Sequence, residues 1–102
     1  MVIYEVNLKV DYDIYENFQK WLNEHIKEML VFPGFISATI LQNTENSPNN
    51  DLCVQYKIES IIFLKKYFDN HAPKMRAEGL NMFENKFQAT RRILNIIETI
   101  KF

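Results

Sequence analysis

The sequence predicts an α+β fold: a four-stranded antiparallel sheet with two helices on one face, in the order strand, helix, strand, strand, helix, strand. Three observations predict it. Residues 2–10 alternate with period two, the mark of a strand with one apolar face. Residues from about 11 to 30, and again from 61 to 71, carry apolar side chains at spacings of three and four, as helices do. Between these stretches lie two short apolar runs separated by an Asn-, Thr- and Ser-rich segment with Pro48, which reads as a hairpin.

In the first strand Val2, Tyr4, Val6, Leu8 and Val10 share one face, and Ile3, Glu5, Asn7 and Lys9 the other. Asp11 or Asp13 is placed to cap the next helix by accepting from its free N–H groups. Ile14, Phe18, Trp21, Leu22, His25, Ile26, Met29 and Leu30 then form a core-facing stripe, with Glu16, Lys20, Glu24, Lys27 and Glu28 on the wet side. Pro33-Gly34 ends this element. Residues 35–41 read as the second strand, 43–51 as a loop, and 52–58 as the third strand, with Leu52, Val54, Tyr56 and Ile58 on one face. Ser60 caps a helix that begins at Ile61 and carries Leu64, Tyr67, Phe68 and His71 on its inner stripe. Pro73 is excluded from a helix interior but suits a first turn, so the chain is expected to break at 70–72. A short helix then runs from 73 to about 79, with Phe83 packing beyond it. Residues 87 to about 98 form the last strand.

Length and composition bound what this fold can be. A chain of 102 residues, 47% hydrophobic and 25% charged, is expected to form one globular domain over residues 1–102. Twelve Lys and Arg against thirteen Asp and Glu leave a net charge of −1, which argues against a nucleic-acid partner. The charge is polarised: residues 1–56 hold three basic and eight acidic groups, residues 57–102 nine basic and five acidic. Such a chain can steer an anionic ligand or pair with its twin. A single cysteine, Cys53, excludes an internal disulfide and a cysteine-based metal cluster, and is expected to be an unreactive thiol. No apolar run is long enough to cross a bilayer and the start lacks a leader pattern, so a cytoplasmic protein with no membrane partner is expected.

The outer face of the sheet is expected to carry Ile3, Glu5, Asn7, Lys9, Phe35, Thr39, Leu41, Cys53, Gln55 and Lys57. That mixture is greasy for a solvated face, and two sheets packing across a two-fold axis would cover it, making a homodimer.

The inner face offers the chemistry. His25 follows Trp21 by four residues and so points inward with it. A histidine there is commonly a hydrogen-bonded core residue. The functional reading rests on its company: Tyr4 and Tyr56 project from the sheet toward the helices, and His71 lies at the helix break. Together these side chains can line a cavity with aromatic walls and a few convergent polar groups. His25 and His71 are the candidate acid or base groups. Tyr4, Trp21, Tyr56 and Arg76 are the candidate ligand-binding groups, Arg76 as a clamp for a carboxylate. The two histidines lack a metal-binding spacing, so no metal and no cofactor is expected, although one histidine suffices for haem. Nucleotide and nucleophile motifs are missing, and two glycines can hardly build a phosphate loop. Arg91 and Arg92 fall on opposite faces of the last strand, one read as a salt bridge and one as a surface charge. Met29, Met75, Met82 and the eight phenylalanines read as core.

Several segments together resemble a known group: Trp21-Leu22-Asn23-Glu24-His25-Ile26, Val54-Gln55-Tyr56, residues 72–80 from Ala72-Pro73 through Arg76 to Leu80, and Phe83 with Phe87 and Arg91. They resemble a small bacterial family known only as a domain of unknown function, similar to the dimeric α+β barrel superfamily of antibiotic-biosynthesis-type and haem-degrading monooxygenases. The resemblance implies the ferredoxin-like fold and a sheet-to-sheet dimer, and it implies no reaction. The haem-degrading branch typically uses an Asn on the first strand, a Trp, and a His on the second helix. Asn7 and His71 fall in those elements, while Trp21 lies on the first helix and Asn7 on the outer face.

Two functions follow as expectations. The first is a dimer whose pocket near His25, Tyr56 and His71 takes a small aromatic or acidic organic molecule, with cofactor-independent oxygenation or isomerisation as the nearest catalytic analogy. The second is a binding or regulatory module without turnover. Haem binding is a further alternative.

Overall fold

The protein is described by a computed structural model covering residues 1–45 and 50–102, the side chain of Asn50 excepted. Four strands, β1 (Val2–Val10), β2 (Phe35–Gln42), β3 (Asn50–Ile58) and β4 (Phe87–Asn95), form one sheet in the order β2-β3-β1-β4. Every neighbouring pair is antiparallel. Helices α1 (Tyr15–Met29), α2 (Ile61–Asn70) and α3 (Ala72–Phe83) complete the chain. This is the ferredoxin-like α+β fold that the strand and helix periodicities predict. Part of the Asn-rich connection, residues 46–49, lies outside the described residues.

β1 sits between β3 and β4 and carries the core. Val2, Tyr4, Leu8 and Val10 are buried on its inner face, opposite Ile58, Tyr56, Leu52 and the half-buried Phe87. α1 closes over them with Phe18, Leu22, Ile26 and Met29, spaced by four, four and three residues. α2 contributes Leu64 and Tyr67, and α3 contributes Ala72, Met75 and Phe83. Ser60 caps α2 as expected, its Oγ accepting from the Ile62 N–H at 3.2 Å.

The chain departs from the expected elements in four places, each with a physical cause. The aspartates do not cap α1, because the helix is entered through a 3-10 turn at Tyr12–Ile14 and Asp11 makes no side-chain cap. Asp13 instead accepts from the Lys86 ammonium at 2.6 Å, tying this turn to the one before β4.

Phe35 is the second departure. Simple alternation along β2 puts it on the outer face with Thr39 and Leu41, yet it is buried in the core. The register shifts between Phe35 and Ser37, so Ile36 is a bulge that turns Phe35 inward while leaving Thr39 and Leu41 outside. Gly34, just before it, has φ +84°, and a Cβ there would stand 2.2 Å from the Phe63 ring, so both backbone and space require glycine.

Third, α3 runs from Ala72 to Phe83 and does not stop near Gly79. The break at His71 occurs where expected, with Pro73 in the first turn. Gly79 is no terminator, because it is buried against α1: a Cβ there would stand 2.9 Å from the Trp21 ring. The glycine is spent on close helix approach, and the helix continues until Phe83 has packed. Fourth, β4 ends at Asn95, where its pairing with Val2 runs out, short of the expected 98.

The outer face of the sheet holds a buried charge. Glu5 is only 3% exposed, and it accepts from Arg92 of β4, from Gln55 of β3 at 3.0 Å and from its own-strand neighbour Asn7 at 3.0 Å. Arg92 first, then Gln55 and Asn7, hold the Glu5 carboxyl down to about 2 against the cost of burial. Burial and the neighbouring Glu5 push the Cys53 thiol up from its ordinary value, so it carries little thiolate at neutral pH.

Candidate functional site

Between the sheet and the helices lies a hollow of about 510 Å³, its open mouth included. The interior is narrow, a cavity of about 50 Å³. Its position follows from the sheet register. Tyr4 on β1 and Tyr56 on β3 are direct partners, and their rings stack at 5.9 Å. Tyr67 reaches in from α2, its ring 6.1 Å from that of Tyr4. From α1 come Trp21 and His25, stacked on each other at 4.6 Å and 24°, the geometry that a four-residue helical spacing allows.

Five of the six sequence-predicted side chains therefore meet here: Tyr4, Trp21, His25, Tyr56 and Arg76 all line the hollow. Arg76, one turn into α3, donates from Nη2 to the Tyr4 hydroxyl at 3.3 Å and lies over the Phe68 ring at 5.8 Å. Its guanidinium is thus positioned by an aromatic face and a phenol.

His71 is the exception. It does not share the hollow but stacks on Phe32 at 4.3 Å, exposed, in a separate groove with Pro33, Phe63 and Lys66. The cause is its place at the corner between α2 and α3, with φ −131°, which turns the ring away from the inner stripe of α2. A cavity shared by both histidines is therefore corrected to one built around His25 alone.

Two lining residues escaped the sequence reading. Tyr67 looks like ordinary core, three residues beyond Leu64. Arg91 is the inward member of the Arg91-Arg92 pair, because β4 sets it opposite Val6 while Arg92 faces Glu5. The sequence shows that the two arginines diverge, but only the register with β1 decides which one enters the hollow.

The electrostatics of the site suit a ligand that is acidic or accepts hydrogen bonds. Burial, then the neighbouring Tyr4, pushes the Tyr67 phenol up to about 12, with Arg76 and Arg91 opposing. Burial pushes Tyr56 still further above the ordinary phenol range. Both remain protonated donors at neutral pH, and neither hydroxyl has a hydrogen-bond partner among the described residues. Burial lowers the His25 value, with Glu28 opposing and Arg91 reinforcing, so its imidazole is neutral at physiological pH. A neutral imidazole beside two phenols and two guanidiniums can take a proton from a bound acid or phenol and stabilise the anion that results.

Residues 1–97 match the family described as a domain of unknown function, DUF4286. The chain belongs to that family. No curated protein matches it by sequence. Solved structures share its fold at low identity. A Deinococcus radiodurans protein assigned as an antibiotic biosynthesis monooxygenase superposes with a TM-score of 0.79 at 9% identity, over 100% of this chain and 98% of its own. The haem degrader MhuD from Mycobacterium tuberculosis, solved with two haems in its active site, gives 0.74 at 13% identity over 99% and 100%. SnoaB, a cofactor-independent oxygenase from Streptomyces nogalater, gives 0.73 at 12% over 97% and 96%. This chain thus takes the fold of these three proteins, and at such identities fold is all that the likeness carries.

Haem does not fit the DUF4286 site as it stands. Asn7 lies on the outer face, hydrogen-bonded to Glu5, and His71 lies in a different groove. The room inside the hollow is far below the several hundred Å³ that a drug-sized ligand takes, let alone a porphyrin. Among the described residues no helix is long and apolar enough to cross a membrane.

Proposed function

We propose that this DUF4286 protein is a monooxygenase-like, small-molecule-binding protein whose hollow takes a small aromatic acid. The observation that carries the reading is the convergence of Tyr56, Tyr67, His25, Arg76 and Arg91 on one space with aromatic walls. Arg76 and Arg91 hold the acid group, the two unpartnered phenols donate to the ligand's oxygens, and the neutral His25 accepts its proton. Deprotonating a phenol or enol is the step that readies such a substrate for oxygenation without a cofactor, so the site needs a base and anion stabilisers.

Trp21 is the only tryptophan and lines the hollow, which supplies the test. Titration with salicylate is expected to change its fluorescence saturably, and the methyl ester is expected to bind more weakly. An unchanged Trp21 signal across a panel of aromatic acids would overturn the reading. Oxygen uptake with a bound phenolic acid supports turnover, whereas saturable binding without uptake leaves a binding module.

The proposal includes a homodimer through the outer face of the sheet. Leu41 is exposed there, with half-buried Ile3, Cys53 and Leu94 around the Glu5 network. Beyond β4, Ile97, Ile100 and Phe102 are almost fully exposed. Two sheets packed face to face across a two-fold axis would cover these outer-face side chains. Light scattering is expected to report twice the 12.2 kDa chain mass, and a monomer at micromolar concentration removes this part of the proposal.

A further inference from the structure

At the seam between α1 and α3 three metal-ligating side chains converge, a grouping that the ligand reading does not use. His25 and Glu28 are three residues apart on α1 and so share a face. Glu78 arrives from α3, beside Gly79, whose missing side chain is what lets α3 close on Trp21 of α1. One ligand atom from each of His25, Glu28 and Glu78 lies within 4.8 Å of the other two.

Arg91 acts on His25 from the hollow, but among the described residues the two carboxylates of the cluster form no ion pair. Among the described residues the ion pairs engage Glu24, Asp13 and Glu5, and neither Glu28 nor Glu78 has a cationic partner. Glu78 is nevertheless half-buried. His25 Nδ1 is sealed from solvent and has no hydrogen-bond partner. Two carboxyl groups beside an imidazole whose Nδ1 has no hydrogen-bond partner make a donor set that lacks a bonding partner.

We propose that His25, Glu28 and Glu78 form a binding site for a first-row divalent cation, with Zn²⁺ the best match. A mixed nitrogen and oxygen set of three suits zinc, which takes both at about 2.0–2.2 Å and leaves a fourth position open. Magnesium and calcium favour oxygen ligands and are poorly served by an imidazole. In a tetrahedral site ligand atoms stand about 3.4 Å apart, so binding draws the three side chains slightly closer, a movement within reach of glutamate rotamers. No spacing in the sequence reveals the site, because Glu78 reaches the His25-x-x-Glu28 pair only through the packing of α3 on α1.

The site shares His25 with the proposed ligand cavity, but neither Glu28 nor Glu78 lines that cavity. An imidazole bound to a cation through one nitrogen presents the other as an N–H donor. Metal-loaded protein would therefore donate from His25 into the hollow, where metal-free protein accepts.

The experiment is calorimetric titration of chelator-stripped protein with Zn²⁺ alone, and with Mg²⁺ alone, checked by native mass spectrometry. One Zn²⁺ per chain and no measurable Mg²⁺ are expected. Glu28→Gln at the exposed helix surface and Glu78→Gln at the half-buried seam, both expected to leave circular dichroism unaltered, should each weaken Zn²⁺ by about tenfold or more. His25→Ala should abolish tight binding, and His71→Ala should leave it unchanged. A dissociation constant weaker than about 100 µM overturns the site. So does affinity that survives Glu78→Gln or falls with His71→Ala. Salicylate titration of the same samples separates the two readings: Arg91→Ala is expected to weaken the acid and leave Zn²⁺ unchanged, and Glu78→Gln the reverse.

Discussion

The two faces of one sheet make opposite use of the same strands. On the inner face β1 and β3 set Tyr4 against Tyr56, and the phenols meet with Arg76 and Arg91 around open space. On the outer face the next residues along, Glu5 and Gln55, are also partners, and here the polar groups are fully engaged with one another and with Arg92. The outer network satisfies itself, while the inner one leaves hydroxyls and an imidazole nitrogen without partners. Polar groups that satisfy each other specify structure, and polar groups left waiting in a cavity specify a ligand. That contrast is the strongest reason to look for function beneath the helices.

Removing the packing that supports the inner face gives the largest expected effect. Phe18 is wholly buried and contacts Trp21, Phe83 and Phe87, so Phe18→Ala should cost about 3–5 kcal/mol in urea unfolding. On the outer face Arg92→Ala should cost clearly less in the same assay, because Arg92 is 63% exposed and Glu5 keeps Gln55 and Asn7.

The same network predicts a pH dependence. Folding lowers the Glu5 value from 4.5 to about 2, so the ionised form is favoured in the native state. Its stabilisation is whole above pH 4.5 and drains away as the pH falls toward 2. Glu5→Gln should flatten the acid limb of the stability curve across that window, and an unaltered limb would mean that other carboxylates govern it.

Smaller changes sharpen the contrast from inside the cavity. Arg91→Ala is expected to weaken salicylate about tenfold while moving the melting temperature little, since Arg91 is exposed and makes no ion pair among the described residues. Tyr56→Phe is the mildest: stability should change by less than about 0.5 kcal/mol, because the lost hydroxyl has no partner, yet ligand affinity should drop measurably in the Trp21 titration.

What could be read beforehand divides along physical lines. Local periodicity showed the strand at Val2–Val10, the stripe of α1 and the Ser60 cap, since each depends on neighbours a few residues away. The meeting of Tyr4, Trp21, His25, Tyr56 and Arg76 was also foreseeable, because inner stripes of helices must face the inner side of the sheet. What escaped depends on long-range packing. The bulge at Ile36 reversed Phe35, and Gly79 lost its ordinary meaning once Trp21 leaned on it. Stacking on Phe32 took His71 out of the site. Arg91 and Glu78 required the register of β4 and the docking of α3, neither of which leaves a mark in the local pattern.

The alignment of the last strand rests on its first residues and not on its arginines. A slip of one position along β1 would exchange Arg91 with Arg92, and each side of the sheet would still receive a guanidinium. The same slip would turn Phe87 and Ala89 out of the core and bring Gln88 and Thr90 in. The start of β4 therefore acts as the lock on how the chain may assemble, while the twin arginines serve the two faces.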